Sequence, residues 1–485
     1  MLPLLRTSTL LLAASLTLTG CDDDNKTRPA TTVATPTPDF ALPPAAGSLL
    51  PHTVMTTHTT AGGDMVQIRN GGFGSAMVGH PTKPGYFYAL TDRGPNAATA
   101  AGVTPSGIIF VMPDYTPRIG LFRLTTSGNV ELVQSTLLKD WNDRYISGLP
   151  NDSFGATGET PYALGGGTVS LDPDNNGTAG FDLSGLDGEG LVALKDGSFW
   201  TSDEYGPHMV HFDADGSEIG RINPFRDDTR NRSNRYLPAE LAKRWPNRGM
   251  EGLAITPDEK TLVGIMQSSL DNPSQAAARS TDLTRIVLVD METGATRQYL
   301  YRQEANGHSN SEISTLTANS FAVIERDQKF YGRNGTGSGT GAGNIFKRVY
   351  KATLSGATNI DTSNSALIAS HADITDGGNL GLLIQGKTLE QFIKDNGAAG
   401  WTTLAGLGIV PVSKSLIFDA VANLNYPHDK MEGLWVIDST TLGIINDDDF
   451  ALEPDGSGGI KQKVLHNSQV DGNRLYVVKL TTPMF

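Results

Sequence analysis

Residues 189–206 read EGLVALKDGSFWTSDEYG. The same plan returns as EGLAITPDEKTLVGIMQS at 251–268, EISTLTANSFAVIERD at 312–327 and EGLWVIDSTTLGIINDDD at 432–449. Each copy has a glutamate, a short apolar strand, a turn and a second strand, and three of the four second strands end on acidic residues. The glutamates lie 62, 61 and 120 residues apart, one, one and two periods of about 60 residues. A fifth, more diverged copy is FGSAMVGHPTKPGYFYALTDRG at 73–94, with Asp92 at its strand end. Further hairpins follow at 117–133, 208–222 and 284–301, where apolar residues alternate around Ser-Gly, Asp-Gly and Thr-Gly turns. Two hairpins per repeat make a four-stranded blade, so the reading is all-β, a β-propeller. Six blades are favoured, with five or seven as alternatives. Strands near Met65–Ile68 and Leu475–Leu480 are expected to close the ring.

Composition agrees with this plan. The 485 residues alone would suggest about three domains, but a ring of repeats uses that length as one unit. The 55 glycines exceed the usual ~7 % and suit a turn-rich β protein. Lys plus Arg is 38 against 52 Asp plus Glu, and a net charge of −14 excludes the basic footprint of a nucleic-acid binder. One cysteine permits no intrachain disulfide and argues against a Cys-based zinc site.

That cysteine reads as an address. A cationic start, an apolar run from Leu10 to Leu18 and then Leu18-Thr19-Gly20-Cys21 make residues 1–20 an export signal. The motif resembles the lipobox of bacterial lipoproteins, which implies lipidation of Cys21 and a membrane-surface anchor. Residues 21–47 are polar and rich in Thr, Pro and Ala, and read as a disordered tether. Asp22 resembles a retention signal for the inner membrane. The expected location is therefore the cell envelope, at its periplasmic face or the cell surface. The propeller is expected over 48–485, with insertions at about 226–248 and 371–425.

In an antiparallel hairpin the start of the first strand lies beside the end of the second. Glu189 should therefore sit near Asp203 and Glu204, Glu312 near Glu325 or Asp327, and Glu432 near Asp447 or Asp448, with Glu251 as the fourth repeated glutamate. If the first strands are the inner ones, these carboxylates converge on one mouth of the channel. Such a ring repels itself unless neutralised, and hard cations held by six to eight oxygens point to calcium. The alternative is that each glutamate caps backbone amides or pairs with a basic residue of its own blade.

LDGEGLVALKDGSFWTSDEYGPH, NRGMEGLAITPDEKTLVGIMQ and FYALTDRGPN resemble the signatures of the phytase-like domain family, "esterase-like activity of phytase", over roughly residues 48–485. The resemblance implies a β-propeller and hydrolysis of a phosphate or other ester, assisted by calcium. One departure is Met266-Gln267, where other units are acidic, so that blade is expected to lack a second ligand. Phosphoester cleavage needs cations for phosphate and a metal to activate water. Arg93, Arg248 and Arg326 each adjoin the proposed rim, and forked guanidinium donors suit phosphate oxygens. His208 and His428 are the candidate proton donors. The expected partner is a small phosphorylated or other ester substrate, on a monomer. A non-catalytic propeller lipoprotein that binds an acidic ligand or a partner protein is the alternative.

Two further motifs are set aside. GLLIQGKT at 381–388 matches the P-loop spacing but lacks a βαβ context. DPDNNG at 172–177 matches half of a calcium loop, but Leu183 stands where an EF-hand has its glutamate. No G-x-S-x-G elbow occurs, which weakens a serine-esterase reading.

Overall fold

The alternating hairpins form as their patterns dictate, and each joins its neighbour into an antiparallel sheet. The structure, a computed structural model, describes residues 40–103, 105–333 and 345–485. Among the described residues, five four-stranded sheets carry the repeat. The first blade is Ala76–Gly79, Tyr86–Leu90, Arg118–Leu124 and Val130–Leu137; the second is Gly188–Ala193, Phe199–Asp203, His208–Phe212 and Glu218–Ile222. The third is Met250–Ile255, Thr261–Met266, Leu283–Asp290 and Thr296–Arg302; the fourth is Ser309–Thr317, Ser320–Arg326, Lys347–Thr353 and Ser413–Asp419. The fifth is Gly433–Asp438, Thr441–Ile445 and Arg474–Lys479, completed by Ser48–Leu49 from the other end of the chain.

The first strands of successive blades touch one another in turn, and that of the fifth touches that of the first. The ring therefore closes at five blades, not the favoured six. Leu475 does close it, but with Ser48 as partner. Met65–Arg69 instead pairs with Val54–Thr59 in a hairpin outside the blades. Between blades the core is apolar: Val192, Met209, Met250, Leu253 and Leu262 fill the space between the second and third.

The insertions sit where hairpins connect. The stretch 226–248 holds only a short 3₁₀ turn, Ala239–Lys243. Within TLEQFIKDNG (388–397) a helix runs over Leu389–Asn396, capped by the Thr388 hydroxyl. The expected 371–425 insertion is not all insertion, because Ser413–Asp419 completes the fourth blade. GLLIQGKT forms two short strands of a small antiparallel sheet, so it is no P-loop. DPDNNG is an Asx-type turn: Asp172 accepts the amides of Asn176 and Gly177 at 3.1 and 2.9 Å. The end of the expected tether is packed, since Phe40 and Leu42 join the core between the first and fifth blades. Cys21 and the signal lie outside the described residues, as does most of the Gly-rich loop at 332–344.

The channel is narrowed at one level by bare backbone. A Cβ at Gly252 would stand 2.6 Å from the Ile313 nitrogen, and one at Gly190 would stand 2.5 Å from the Leu253 nitrogen. Overpacking at such a contact typically costs ~1–3 kcal/mol. Gly252→Ala is therefore expected to lower the urea-unfolding free energy by about that amount. An unchanged midpoint would mean that the inner strands are not in register at this level.

Candidate functional site

The hairpin register explains why carboxylates gather at one mouth. In the second blade Gly188 pairs with Asp203 and Gly190 with Ser202, leaving Glu189 bulged between them. In the third, Glu251 is bulged in the same way between Met250 and Gly252. A bulge re-aims the extra side chain, and here Glu189 and Glu251 leave the ladder for the channel. Glu432 precedes Gly433 at the matching place, its amide donating to the Ile445 carbonyl at 3.1 Å. In the fourth blade the bulged residue is Ser311, not Glu312. Glu312 pairs with Ile324, the position held by Gly190 and Gly252 elsewhere. It therefore lies one residue out of the expected repeat, at the narrowed level of the channel. One Glu312 oxygen accepts its neighbour's amide, from Ile313 at 2.9 Å, so the amide-capping alternative describes this residue.

The second strands supply another ring. Two residues beyond the partners of Ala76, Gly190, Gly252, Glu312 and Gly433 stand Asp92, Glu204, Gln267, Arg326 and Asp447. Gln267 donates to Glu204 at 2.8 Å and to Glu251 at 2.6 Å, so the unit expected to lack a ligand supplies the amide that ties two carboxyls together. Arg326 donates to Glu432 and lies 3.5 Å from Glu251. Lys430 donates to Asp447 at 2.7 Å and to Asp449 at 2.6 Å. The loop carrying these aspartates holds Asp449, Phe450 and Ala451 at positive φ. Such strain persists only where packing and pairing over-determine it; here Phe450 is fully buried and both Lys430 and Lys463 grip Asp449.

Three of the carboxylates form a tighter group. Asp187, Glu189 and Glu204 each offer an oxygen, and these atoms all lie within 4.8 Å of one another. Among the described residues, Asp187 Oδ2 and Glu189 Oε2 are buried without a hydrogen-bond partner. Arg93 Nη1 approaches Asp187 at 3.3 Å and donates to Asn247 at 3.2 Å. Half-buried Arg248 stacks on Trp245 at 4.2 Å and donates to Ser268 at 3.3 Å, and among the described residues no carboxylate pairs with it.

Burial raises these acids. Desolvation, reinforced by Glu251 and other neighbours, pushes Glu189 and Glu204 well above the ordinary carboxyl range. Desolvation pushes Glu251 to about 7 and Glu432 to about 8, even against the opposing Arg326 charge. Asp92 is raised likewise by burial and by Asp447 and Asp187. Without a cation the group is thus partly protonated at neutral pH. The partnerless Glu189 oxygen, the lack of histidine or cysteine in the group, and mutual repulsion fit a hard divalent cation such as calcium.

Other expected residues go elsewhere. Asp203 and Glu325 stand one residue before the ring, so strand alternation turns them away. Asp203 accepts the amides of Asp187 and Tyr205 at 3.0 and 3.2 Å, which positions the Asp187 backbone. Glu325 pairs with His308 and Lys414, each at 2.9 Å, and they hold it below its ordinary value despite burial. His208 is buried against the Phe154 carbonyl at 2.8 Å, and burial with Arg221 and Arg230 keeps it neutral. His428 has both nitrogens engaged, by Asp471 at 2.7 Å and Tyr476 at 2.8 Å. Both histidines are thus engaged by hydrogen bonds within the fold.

Asp187, Gln267 and Lys430 are the site residues that glutamate spacing alone does not reveal. Asp187 and Lys430 each precede a ring glutamate by two residues, a repeated offset that could have found them.

A model of the family described as "Phytase-like: Esterase-like activity of phytase" matches residues 68–450, spanning every ring residue. The chain belongs to this phytase-like family. The phytase-like domain is also similar to an uncharacterized secreted protein of Arthroderma benhamiae, 26 % identical over 294 residues. That match covers 52 % of this chain and 48 % of the relative, so the chain spans about half of the relative's length. Among solved structures it is similar to the PQQ-bound aldose sugar dehydrogenase of Streptomyces coelicolor, at 10 % identity and a TM-score of 0.26, covering 90 % of this chain and all of that one. It is also similar to a Myceliophthora thermophila β-propeller domain, Cps50 (Swd1), at 11 % and 0.28, covering 82 % and 98 %. The propeller architecture of this phytase-like chain rests on its own five sheets.

Proposed function

We propose that this protein is a calcium-dependent hydrolase of phosphoesters, carried at the cell envelope through Cys21. The observation that carries the reading is the buried Asp187, Glu189 and Glu204 triad beside Arg93 and Arg248. Asp187, Glu189 and Glu204 would hold the cation, with Glu251, Glu432 and Asp447 completing the negative field. Calcium bound there would polarise the ester and favour ionised water.

The chain's own groups do the rest. Arg248, free of a carboxylate partner among the described residues, is placed to receive the phosphate, and Arg93 is steadied by Asp187 and Asn247 beside it. Planar guanidinium donors match phosphate oxygens in pairs. Gln267 holds the Glu204 and Glu251 carboxyls in place through its amide, and the departing alkoxide takes its proton from solvent. Arg326 and Lys430 offset part of the remaining charge through Glu432 and Asp447.

The deciding assay is phosphate release from phytate and simple phosphomonoesters, with calcium or with chelator. Release that needs calcium and drops at least about a hundredfold in Glu189→Gln is expected, the scale of losing a metal-assisted step. No release from any ester, together with an unchanged calcium-dependent melting temperature in Glu189→Ala and Glu432→Ala, removes the reading. For the anchor, detergent-phase partitioning that is lost in Cys21→Ser is expected. Among the described residues no helix is long and apolar enough to cross a membrane.

A further inference from the structure

The inner strands run away from the acidic rings and open, at their C-terminal ends, into a cavity of about 500 Å³ at the other mouth of the channel. Val78, Ala193, Ile255, Thr315 and Val436, one from each inner strand, line it. The hydroxyls of its inner-strand residues are turned into the walls: Ser314 donates to the Leu434 carbonyl at 2.8 Å and Thr315 to that of Ile255 at 2.6 Å. The floor is therefore apolar, of the size range of small-molecule sites.

The rim has the opposite sign to the rest of the chain. Among the described residues no Asp or Glu lines the cavity, although the chain carries a net charge of −14. The charged side chain on it is Lys83, exposed above the Tyr86 ring at 5.8 Å, and among the described residues no carboxylate pairs with it. Beside it His80 stacks on Tyr88 with ring centroids 5.3 Å apart. Its Nδ1 accepts the Thr82 amide at 3.1 Å, so in the neutral ring Nε2 carries the hydrogen and is a donor. Burial and the Lys83 charge keep His80 below its ordinary value, which preserves that neutral form.

We propose that this mouth binds one small amphipathic carboxylate, its apolar body against the strand ends and its head on Lys83 and His80 Nε2. Apolar burial supplies attraction without selectivity, and the unpaired ammonium in an otherwise acidic chain selects the anion. The site is separate from the acidic rings and does not depend on the hydrolase reading.

Titration calorimetry of the full chain with decanoate, decanol and decyltrimethylammonium tests it. One equivalent of decanoate is expected to bind, at least about tenfold tighter than either other probe, the scale of one charge-assisted contact. Lys83→Glu should erase that preference, Lys83→Arg should retain it, and Ile255→Trp should block the cavity. Equal binding of all three probes, or decanoate binding indifferent to Lys83→Glu, overturns the proposal. So does a dimer seen by light scattering that decanoate fails to dissociate, since a second copy would then fill the mouth. Lys83 is exposed, so its variants decide the matter even if Ile255→Trp fails to fold.

Discussion

Arg326→Met should lower the stability of the calcium-free protein at pH 8 by roughly 3–5 kcal/mol, the cost of removing one partner of a buried ion pair. Arg326 is 2 % exposed, donates to Glu432 and faces Glu251 at 3.5 Å. Burial works against its charge, but Glu432 and Glu251 outweigh that and hold it protonated. Methionine fills similar volume, so the loss reports charge more than cavity. Both carboxyls can escape by taking up protons, which caps the cost at low pH. The variant should therefore differ less from the parent at pH 6 than at pH 8. Urea unfolding in chelator at the two pH values measures this. A difference below about 1 kcal/mol at both would place Arg326 in the weak class of ion pairs.

The second large effect is a stability slope that calcium removes. Glu251 and Glu432 rise from an ordinary 4.5 to about 7 and about 8 in the folded chain. Between those limits the folded state holds protons that the unfolded chain has released, so stability falls as pH rises from about 4.5 to 8. A tenfold gain in proton affinity on folding is worth about 1.4 kcal/mol, so the two groups together account for several kcal/mol. A bound cation favours the ionised forms and releases those protons. In chelator the melting temperature should therefore fall steadily from pH 5 to pH 8, and calcium should flatten the fall. The calcium increment is then largest at pH 8. Parallel curves with and without calcium would show that the ring binds no cation.

Much of this site was legible in the chain. A glutamate followed by Gly-Leu and an acidic strand end, recurring at a near-constant interval, places carboxylates at one mouth because hairpin ends lie together. Glu189, Glu204, Glu251, Glu432 and Asp447 are there for that reason. Strand alternation was the hidden variable for Asp203 and Glu325, whose one-residue offset points them away. The bulge decides Glu312: it falls on Ser311 and leaves Glu312 level with Gly190 and Gly252, and only pairing showed which residue was extra.

The sequence by itself determined the repeat, the hairpin partners, the absence of disulfides and the family, since these depend on local pattern and residue identity. The tertiary structure decided the blade number, because closure depends on which distant strand completes the last sheet. Ser48–Leu49 takes that place, and Met65–Arg69 does not. It also decided which groups meet across blades: Arg326 reaches Glu432 and Glu251, and Gln267 reaches Glu204, from different blades, whereas Lys430 meets Asp447 within its own. The apolar mouth around Lys83 belongs to the fold alone: five strand ends, each ordinary in sequence, become one cavity only when the ring closes.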